Sequence, residues 1–257
     1  MSKPSNSNQV QGSPLPRVFA ISDLHLSFTV DKPMDLFGGN WTGYEEKIKT
    51  DWNSKVGSDD IGVIAGDLSW GMNMRESEKD LEYIKNLNGT KIVIRGNHDY
   101  WWGSISRVRE ALGPSVHALQ NDAIRLETKI GQGIIFAGTR GWKVPERYHK
   151  QKPEDKKIFD REVIRLELAL QDGVKKRKDG DKFIAIIHYP PFNSMRDDSA
   201  FSALMEKYNV DICIYGHLHG KNSRTQLYIQ KGGIHYYLTS CDLLDHKVAE
   251  ISLANPA

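Results

Sequence analysis

Six short apolar runs recur along the chain and constrain its fold more than any other feature. They are continuous rather than alternating, and they lie at 17–21, 61–65, 91–95, 133–138, 183–187 and 211–215. A run of this length and kind is typical of a strand that is buried on both faces. The sequence therefore predicts a sheet core that is covered on both sides.

Helical patterns separate these runs. Residues 76–87 and 156–178 space apolar side chains three or four apart, and residues 197–208 do so behind polar residues that can cap a helix. A further strand is predicted at 123–129, and closely spaced strands with a Gly-Gly turn predict an antiparallel stretch after residue 225. Alternating strands and helices are typical of a layered α/β domain.

The boundaries and composition add three expectations. Residues 1–16 are rich in Ser, Asn, Gln and Pro, and we interpret them as a flexible leader before a single domain at 17–257. The leader lacks the apolar centre of a secretory signal, and no apolar stretch approaches the ~20 residues that span a bilayer. With only two cysteines and a net charge of +2, we expect a cytoplasmic protein without disulfides, with no membrane or nucleic-acid partner. The sequence carries no signal for an oligomeric state.

Five of the six apolar runs are followed directly by residue types that bind metals. These segments are SDLH at 22–25, GD at 66–67, GNHD at 96–99, HYPP at 188–191 and GHLH at 216–219. Each motif alone is weak, but all five stand in the same position relative to a strand. Because the carboxyl ends of parallel strands meet at one edge of a sheet, we expect these side chains to meet in space.

This set of motifs, D-x-H, G-D, G-N-H-D, H and G-H-x-H, resembles the calcineurin-like metallophosphoesterases over about residues 17–252. The resemblance implies a fold of the α/β class, a four-layer α/β/β/α sandwich with two mixed β-sheets. It also implies a metal-dependent phosphoric ester hydrolase, either a phosphatase or a phosphodiesterase.

The resemblance further implies a dinuclear metal centre. Asp23, His25 and His219 would bind one ion, Asn97, His188 and His217 would bind the other, and Asp67 would bridge the two. Mixed oxygen and nitrogen ligands without a thiolate suit two divalent transition-metal ions such as Mn, Fe or Zn. Paired ions of this kind support in-line attack on phosphorus by a metal-bridging hydroxide.

The residues around Asn97 carry the remaining catalytic predictions. His98 is placed to act as the general acid for the departing alkoxide, and Asp99 would then hold its imidazole in orientation. Gly96 would let the backbone turn sharply off the strand. Arg95 has two interpretations of equal weight, a phosphate contact or an ordinary strand-end residue that faces solvent or pairs with an acid.

Aromatic and basic residues outside the motifs have open roles. Trp101 and Trp102 either line the substrate cleft or pack inward, with inward packing favoured. Arg140 and Trp142 belong to a segment that is either a specificity loop or an ordinary covering loop.

The predicted substrate is a small-molecule phosphate ester, either a phosphomonoester or a phosphodiester. Asp99 stands where protein phosphatases of this family have Glu, which argues against protein dephosphorylation. A metal-dependent nuclease is the first alternative, and the near-neutral charge and lack of an obvious basic groove argue against it. A non-catalytic binding scaffold is the second, and the complete set of predicted ligands argues against that.

Overall fold

The computed structural model describes residues 16–32, 34–38, 41–127, 131–220 and 225–254, so all of the predicted leader except Pro16 lies outside it. A 3-10 helix spans Met34–Phe37, and the α-helices are α1 (Tyr44–Lys55), α2 (Glu78–Lys85), α3 (Ile105–Leu112), α4 (Pro153–Lys176) and α5 (Ala200–Lys207). The strands are β1 (Val18–Ile21), β2 (Ile61–Ile64), β3 (Thr90–Ile94), β4 (Val116–Leu119), β5 (Asp122–Glu127), β6 (Gly133–Thr139), β7 (Lys182–Ile187), β8 (Ile212–Tyr215), β9 (Tyr228–Lys231), β10 (Ile234–Leu238) and β11 (Ala249–Ile251).

The strands form two mixed sheets. The first has the order β11-β1-β2-β3-β4, with β1 to β4 parallel and β11 antiparallel at its edge. The second has the order β5-β6-β7-β8-β10-β9, with four parallel strands between two antiparallel edge strands. All six predicted core strands are present, three in each sheet.

Continuous apolar strands are required because each sheet is covered on both faces. In β1, Val18 and Ala20 face an apolar layer between the two sheets, while Phe19 and Ile21 face helices α1 to α3. The second sheet packs its other face against α4 and α5, through residues such as Leu166 and Phe201. The α/β/β/α sandwich is therefore confirmed, with three apolar layers that alternate strand residues supply.

Two features of the helices show what the pattern captured and what it missed. Of the three residues predicted to be able to cap α5, Asp197, Asp198 and Ser199, it is Ser199 that does so. Its Oγ accepts hydrogen bonds from the backbone N–H groups of Phe201 and Ser202. The sequence pattern missed α1, because its buried face is only a narrow stripe of Tyr44, Ile48 and Trp52.

The tail is only partly the antiparallel stretch that its sequence predicts. Strands β9 and β10 form a hairpin whose turn residues, Gly232 and Gly233, both have positive φ. Strand β11 does not extend this hairpin but pairs with β1 of the other sheet, with Ile251 opposite Val18. Between β10 and β11, Ser240 forms an isolated β-bridge with Ser22. This bridge lies at the edge where the ligand motifs lie, and the chain passes there from one sheet to the other.

Within the described ranges, no helix is both long and apolar enough to cross a bilayer.

Candidate metal centre

The five loops with metal-binding residue types converge at one edge of the two sheets. They follow β1, β2 and β3 of the first sheet and β7 and β8 of the second. Two sets of side chains have potential ligand atoms within 4.8 Å of one another, and these are Asp23, His25 and His219, and Asp23, Asp67 and His188. Side chains almost 200 positions apart in the sequence thus form one cluster.

Short distances between carboxylates and imidazoles hold the first set together and join it to Asp67 of the second. His219 Nε2 lies 3.3 Å from Asp23 Oδ1, and His25 Nε2 lies 3.8 Å from Asp67 Oδ2. The Nδ1 atom of His25 is buried and has no hydrogen-bond partner in the described part of the chain.

Asn97 joins the second set to His217. Its Oδ1 atom lies 2.8 Å from His188 Nε2 and 2.9 Å from His217 Nδ1. His188 Nε2 is also 3.3 Å from Asp67 Oδ2. The same Asp67 oxygen therefore faces a histidine of each set.

The backbone is unusual at four of these residues. Asp23, His25, Asp67 and His217 have φ values of 59°, 47°, 52° and 72°. Residues other than glycine rarely adopt this left-handed region, and where they do the strain is often associated with a functional site.

Two glycines allow the loops to approach closely. A Cβ atom at Gly96 would overlap Asp67 Oδ1, and one at Gly216 would overlap the side chains of Ser22 and Asp23. Gly96 is not among the described residues with positive φ, so a left-handed backbone is not the reason for this glycine. It is required because the carboxylate of Asp67 lies directly against its Cα.

Two of the imidazoles form a hydrogen bond through Nδ1, and this bond fixes the direction of the Nε2 atom in the same ring. His188 Nδ1 donates to the Ala65 carbonyl oxygen at 2.9 Å, and His219 Nδ1 lies 3.0 Å from Asp242 Oδ1. Metal-binding histidines commonly have such a partner, which fixes the tautomer and raises ligand basicity. Sequence reasoning missed Asp242, although its position just after β10, at the same edge as the other motifs, was a usable signal.

The two buried carboxylates are held ionised by their surroundings. Burial alone would raise the pKa of Asp23, but His219 and His188 outweigh it and hold that pKa far below its usual range. Burial would also raise the pKa of Asp67, but the charge of His188 outweighs it and lowers that pKa. Two anions at the base of the cluster attract cations.

The four histidines divide into two pairs. Burial lowers the pKa of His188 and His219, but the adjacent carboxylates outweigh it and raise these values to about 9 and about 10. Burial dominates at His25 and His217, which lowers the pKa of each to about 4. Neutral imidazole is the form that binds metals, so two of the four already favour that form.

Asp99 does not have the predicted role. Its carboxylate is fully buried and accepts hydrogen bonds from the backbone N–H groups of Leu68 and Gly96 and from Trp101 Nε1, at 2.8, 2.7 and 3.0 Å. The prediction that Asp99 orients the His98 imidazole is wrong, because these donors occupy its oxygens and His98 Nδ1 has no partner among the described residues. Asp99 instead holds the loops after β2 and β3 together, and burial with the charge of Asp67 raises its pKa to about 6.

His98 is held by other contacts. Its backbone N–H donates to Asp67 Oδ1 at 2.7 Å, and its ring packs against Trp70 with centroids 4.5 Å apart. The ring is 5.5 Å from that of His25, centroid to centroid. His98 therefore borders the ligand cluster and is only partly buried.

Arg95 and Arg140 lie together beside the cluster with few partners. Arg95 is half-buried and forms no ion pair with any described residue, and its Nε atom has no hydrogen bond. The Nε atom of Arg140 also has no hydrogen bond to a described residue, and its Nη2 reaches Glu162 only at 3.4 Å. Glu162 is shared with Arg165 at 2.7 Å, so positive charge exceeds negative charge here. Burial and the charge of Arg140 lower the pKa of Arg95.

The structure also shows where the tryptophans lie and what the long segment between β1 and β2 contacts. Trp101 and Trp102 are 3% exposed and belong to the core beneath the first sheet, so inward packing is confirmed. Trp142 is half-buried and contacts the ring of Tyr189. Tyr44, from the segment between β1 and β2, donates a 2.9 Å hydrogen bond to the His25 carbonyl oxygen, so this segment supports the site.

The donor set fits metal ions. It combines two buried carboxylates, an amide oxygen and four imidazoles, two of them with their second nitrogen already bonded, and contains no thiol. Nitrogen and oxygen donors in this mixture suit divalent transition metals.

Comparison with known proteins agrees with this picture. The family model of the calcineurin-like phosphoesterases matches residues 16–221. A relative, the uncharacterized protein MJ1445 of Methanocaldococcus jannaschii, is 32% identical over 108 residues, which is 41% of this chain. The match spans 58% of that relative's length.

Solved structures show the same fold. Phosphopantetheinyl hydrolase (PptH) from Mycobacterium tuberculosis superposes with a TM-score of 0.57 at 14% identity, covering 93% of this chain and 97% of its own. The protein TT1561 of Thermus thermophilus superposes with a TM-score of 0.52 at 12% identity, covering 94% and 100%. At these identities the likeness extends to the fold alone.

Proposed function

Because the chain belongs to the calcineurin-like phosphoesterase family, whose members are metal-dependent phosphoester hydrolases, we propose that it hydrolyses a small-molecule phosphate ester at a centre of two metal ions. The observation that carries this proposal is the convergence of ligand side chains from five loops at one edge of the two sheets, where Asp67 Oδ2 faces both His25 and His188. The substrate is a phosphomonoester or phosphodiester.

The proposed ligands are assigned to the two ions as the family resemblance implies. Asp23, His25 and His219 would hold one ion, Asn97, His188 and His217 the other, and Asp67 both. The bridging role of Asp67 is supported by the different surroundings of its two oxygens. Oδ1 accepts the N–H of His98, whereas Oδ2 faces both His25, a proposed ligand of one ion, and His188, a proposed ligand of the other.

Charge explains why such a centre attracts phosphate. Two divalent ions, which we expect to be Mn, Fe or Zn, exceed the charge of the two ligating carboxylates by about two positive charges. When bound, the ions would supply a water of lowered pKa and would neutralise charge on the phosphoryl group.

His98 is the proposed general acid. A ring nitrogen would donate its proton to the ester oxygen as the bond from phosphorus to that oxygen breaks. Support comes from its position beside Asp67 and His25 and from its partial exposure. Packing against Trp70 fixes the ring in place of the contact with Asp99 that the sequence suggested.

Arg95 is proposed to bind phosphate oxygens, because it is half-buried without an ion pair to any described residue. The variant Arg95→Lys keeps the charge but loses the planar fork that matches a phosphate group. We expect kcat/KM to fall about 10- to 100-fold, since a hydrogen bond to a charged group is worth about 1.5–3 kcal/mol. The matched control is Arg107→Lys, an exposed position on α3, and equal kinetics in the two variants would contradict the role.

Asp242 is proposed to orient His219 for metal binding. The variant Asp242→Ala removes the acceptor of His219 Nδ1, and we expect metal affinity to weaken about 10- to 100-fold. Titration calorimetry with Zn or Mn measures the change. Asp59→Ala, at an exposed turn, is the control, and an unchanged affinity in Asp242→Ala would remove Asp242 from the site.

The function is tested by metal analysis together with a panel of substrates. Protein loaded with Mn, Fe, Zn or Mg is assayed on aryl phosphate monoesters and diesters, cyclic nucleotides and phosphoproteins. We expect hydrolysis of aryl esters with a transition metal. A metal-loaded preparation that is inert towards every ester would overturn the proposal, and salt-sensitive DNA binding with cleavage would favour a nuclease instead.

A further inference from the structure

An apolar cavity of about 480 Å³ lies beside the proposed metal centre. Its walls come from the segments after β6 and β7, from β8 and the loop that follows it, from residues 225–226 and from β9 and β10. The apolar and aromatic side chains that line it include Tyr189, Phe192, Tyr215, Leu218, Ile229 and Leu238.

The cavity adjoins the ligand cluster at His217. His217, a proposed metal ligand, forms part of its wall. The ring of His217 packs against that of Tyr189 with centroids 4.1 Å apart. Leu218, which is 41% exposed, lies between His217 and His219 and faces the same cavity. A group attached to a phosphate at the metal centre can therefore enter the cavity past His217.

Two polar side chains at the rim, Asn193 and Ser194, are already hydrogen-bonded, while Lys143, Arg196, Thr225 and Gln226 also line the cavity. Asn193 Nδ2 donates to the Pro145 carbonyl oxygen and to Asp197, and Ser194 Oγ donates to Glu146. A sugar or another polyhydroxy group would have to break these bonds to pair with Asn193 or Ser194. The cavity walls instead offer apolar surface, and the volume is within the range of small-molecule sites.

We propose that this cavity binds the alcohol part of the ester, so that the substrates are phosphate esters of apolar or aromatic alcohols larger than one ring. This assignment rests on the proposed function, because it places the leaving group beside the ions that hold the phosphate. Burial of the apolar surface of the alcohol in the cavity would stabilise the bound ester and its transition state, and would therefore raise kcat/KM.

The test compares phenyl phosphate with biphenylyl phosphate, whose leaving groups have similar basicity, together with the methyl diester of each. We expect kcat/KM to be at least about 10-fold higher for the biphenylyl ester, since one methylene in an apolar pocket already gives about 10- to 200-fold. Val144→Phe and Ile229→Trp reduce the space from two different walls, and each should lower the biphenylyl-to-phenyl ratio towards one. Leu168→Phe, on the exposed face of α4, is the matched control and should leave the ratio unchanged.

The outcomes separate this inference from the proposed function. Equal kcat/KM for the two esters in the wild-type protein, or a higher value for glycerol phosphate, would overturn the cavity assignment while leaving the hydrolase intact. An unchanged ratio in both cavity variants would do the same. No hydrolysis of any ester with any metal would overturn the proposed function and the cavity assignment together.

Discussion

Replacing Asp67 with alanine is expected to abolish both metal binding and turnover. Its Oδ2 atom lies 3.3 Å from His188 Nε2 and 3.8 Å from His25 Nε2, so it is the carboxylate that both ions would share. The substitution also removes the acceptor of the His98 backbone N–H. Metal analysis should show less than one ion per chain in place of two, with hydrolysis of aryl esters below detection.

Asp60 offers a matched control, because Asp60 and Asp67 flank the same strand, β2, at opposite ends. Asp60 binds Arg17 Nη2 at 2.6 Å and the Gly57 N–H at 2.9 Å. Asp60→Ala should therefore lower thermal stability but retain metal and turnover. If Asp67→Ala retained both ions, the bridging role would be wrong.

Replacing His98 with alanine is expected to keep the metal and slow turnover. A positioned general acid contributes about 10²- to 10⁴-fold to rate, and His98 contacts the cluster through its backbone N–H, which alanine preserves. The loss should be largest for esters of alkyl alcohols and much smaller for nitrophenyl esters, because a nitrophenolate leaves without a proton. This dependence on the leaving group distinguishes an acid from a residue that only supports the loop.

The matched control for His98 is His117→Ala. His117 lies on β4, outside the ligand loops, and its removal should leave metal content and turnover unchanged. Metal loss in His98→Ala equal to that in Asp67→Ala would contradict the separation of acid from ligand.

The core strands and the common edge of the motifs were predictable because both depend on local patterns. A strand buried on two faces must be apolar at successive positions, as Val18 to Ile21 are, and a parallel strand must release its next residues at the carboxyl edge. For that reason the sequence alone predicted that Asp23, Asp67 and His188 would meet, and the structure brings them together.

Partners across loops were not predictable in the same way. Asp99 follows His98 directly, yet its carboxylate binds the loop after β2, because that loop presents backbone N–H groups that a buried anion must satisfy. Gly96 is needed because the carboxylate of Asp67, from the loop after β2, lies against its Cα in the loop after β3. Asp242 reaches His219 only because β10 lies beside β8.

The sequence by itself thus determined the layered fold and the edge where its ligand-type side chains gather, since strand periodicity and strand direction are properties of contiguous residues. Only the tertiary structure decided which atom faces which, including the hydrogen bond of Asp242 and the apolar cavity beside His217. The physical reason is that hydrogen-bond partners and cavity walls depend on distances of a few ångströms between segments far apart in the chain, and no local pattern encodes those distances.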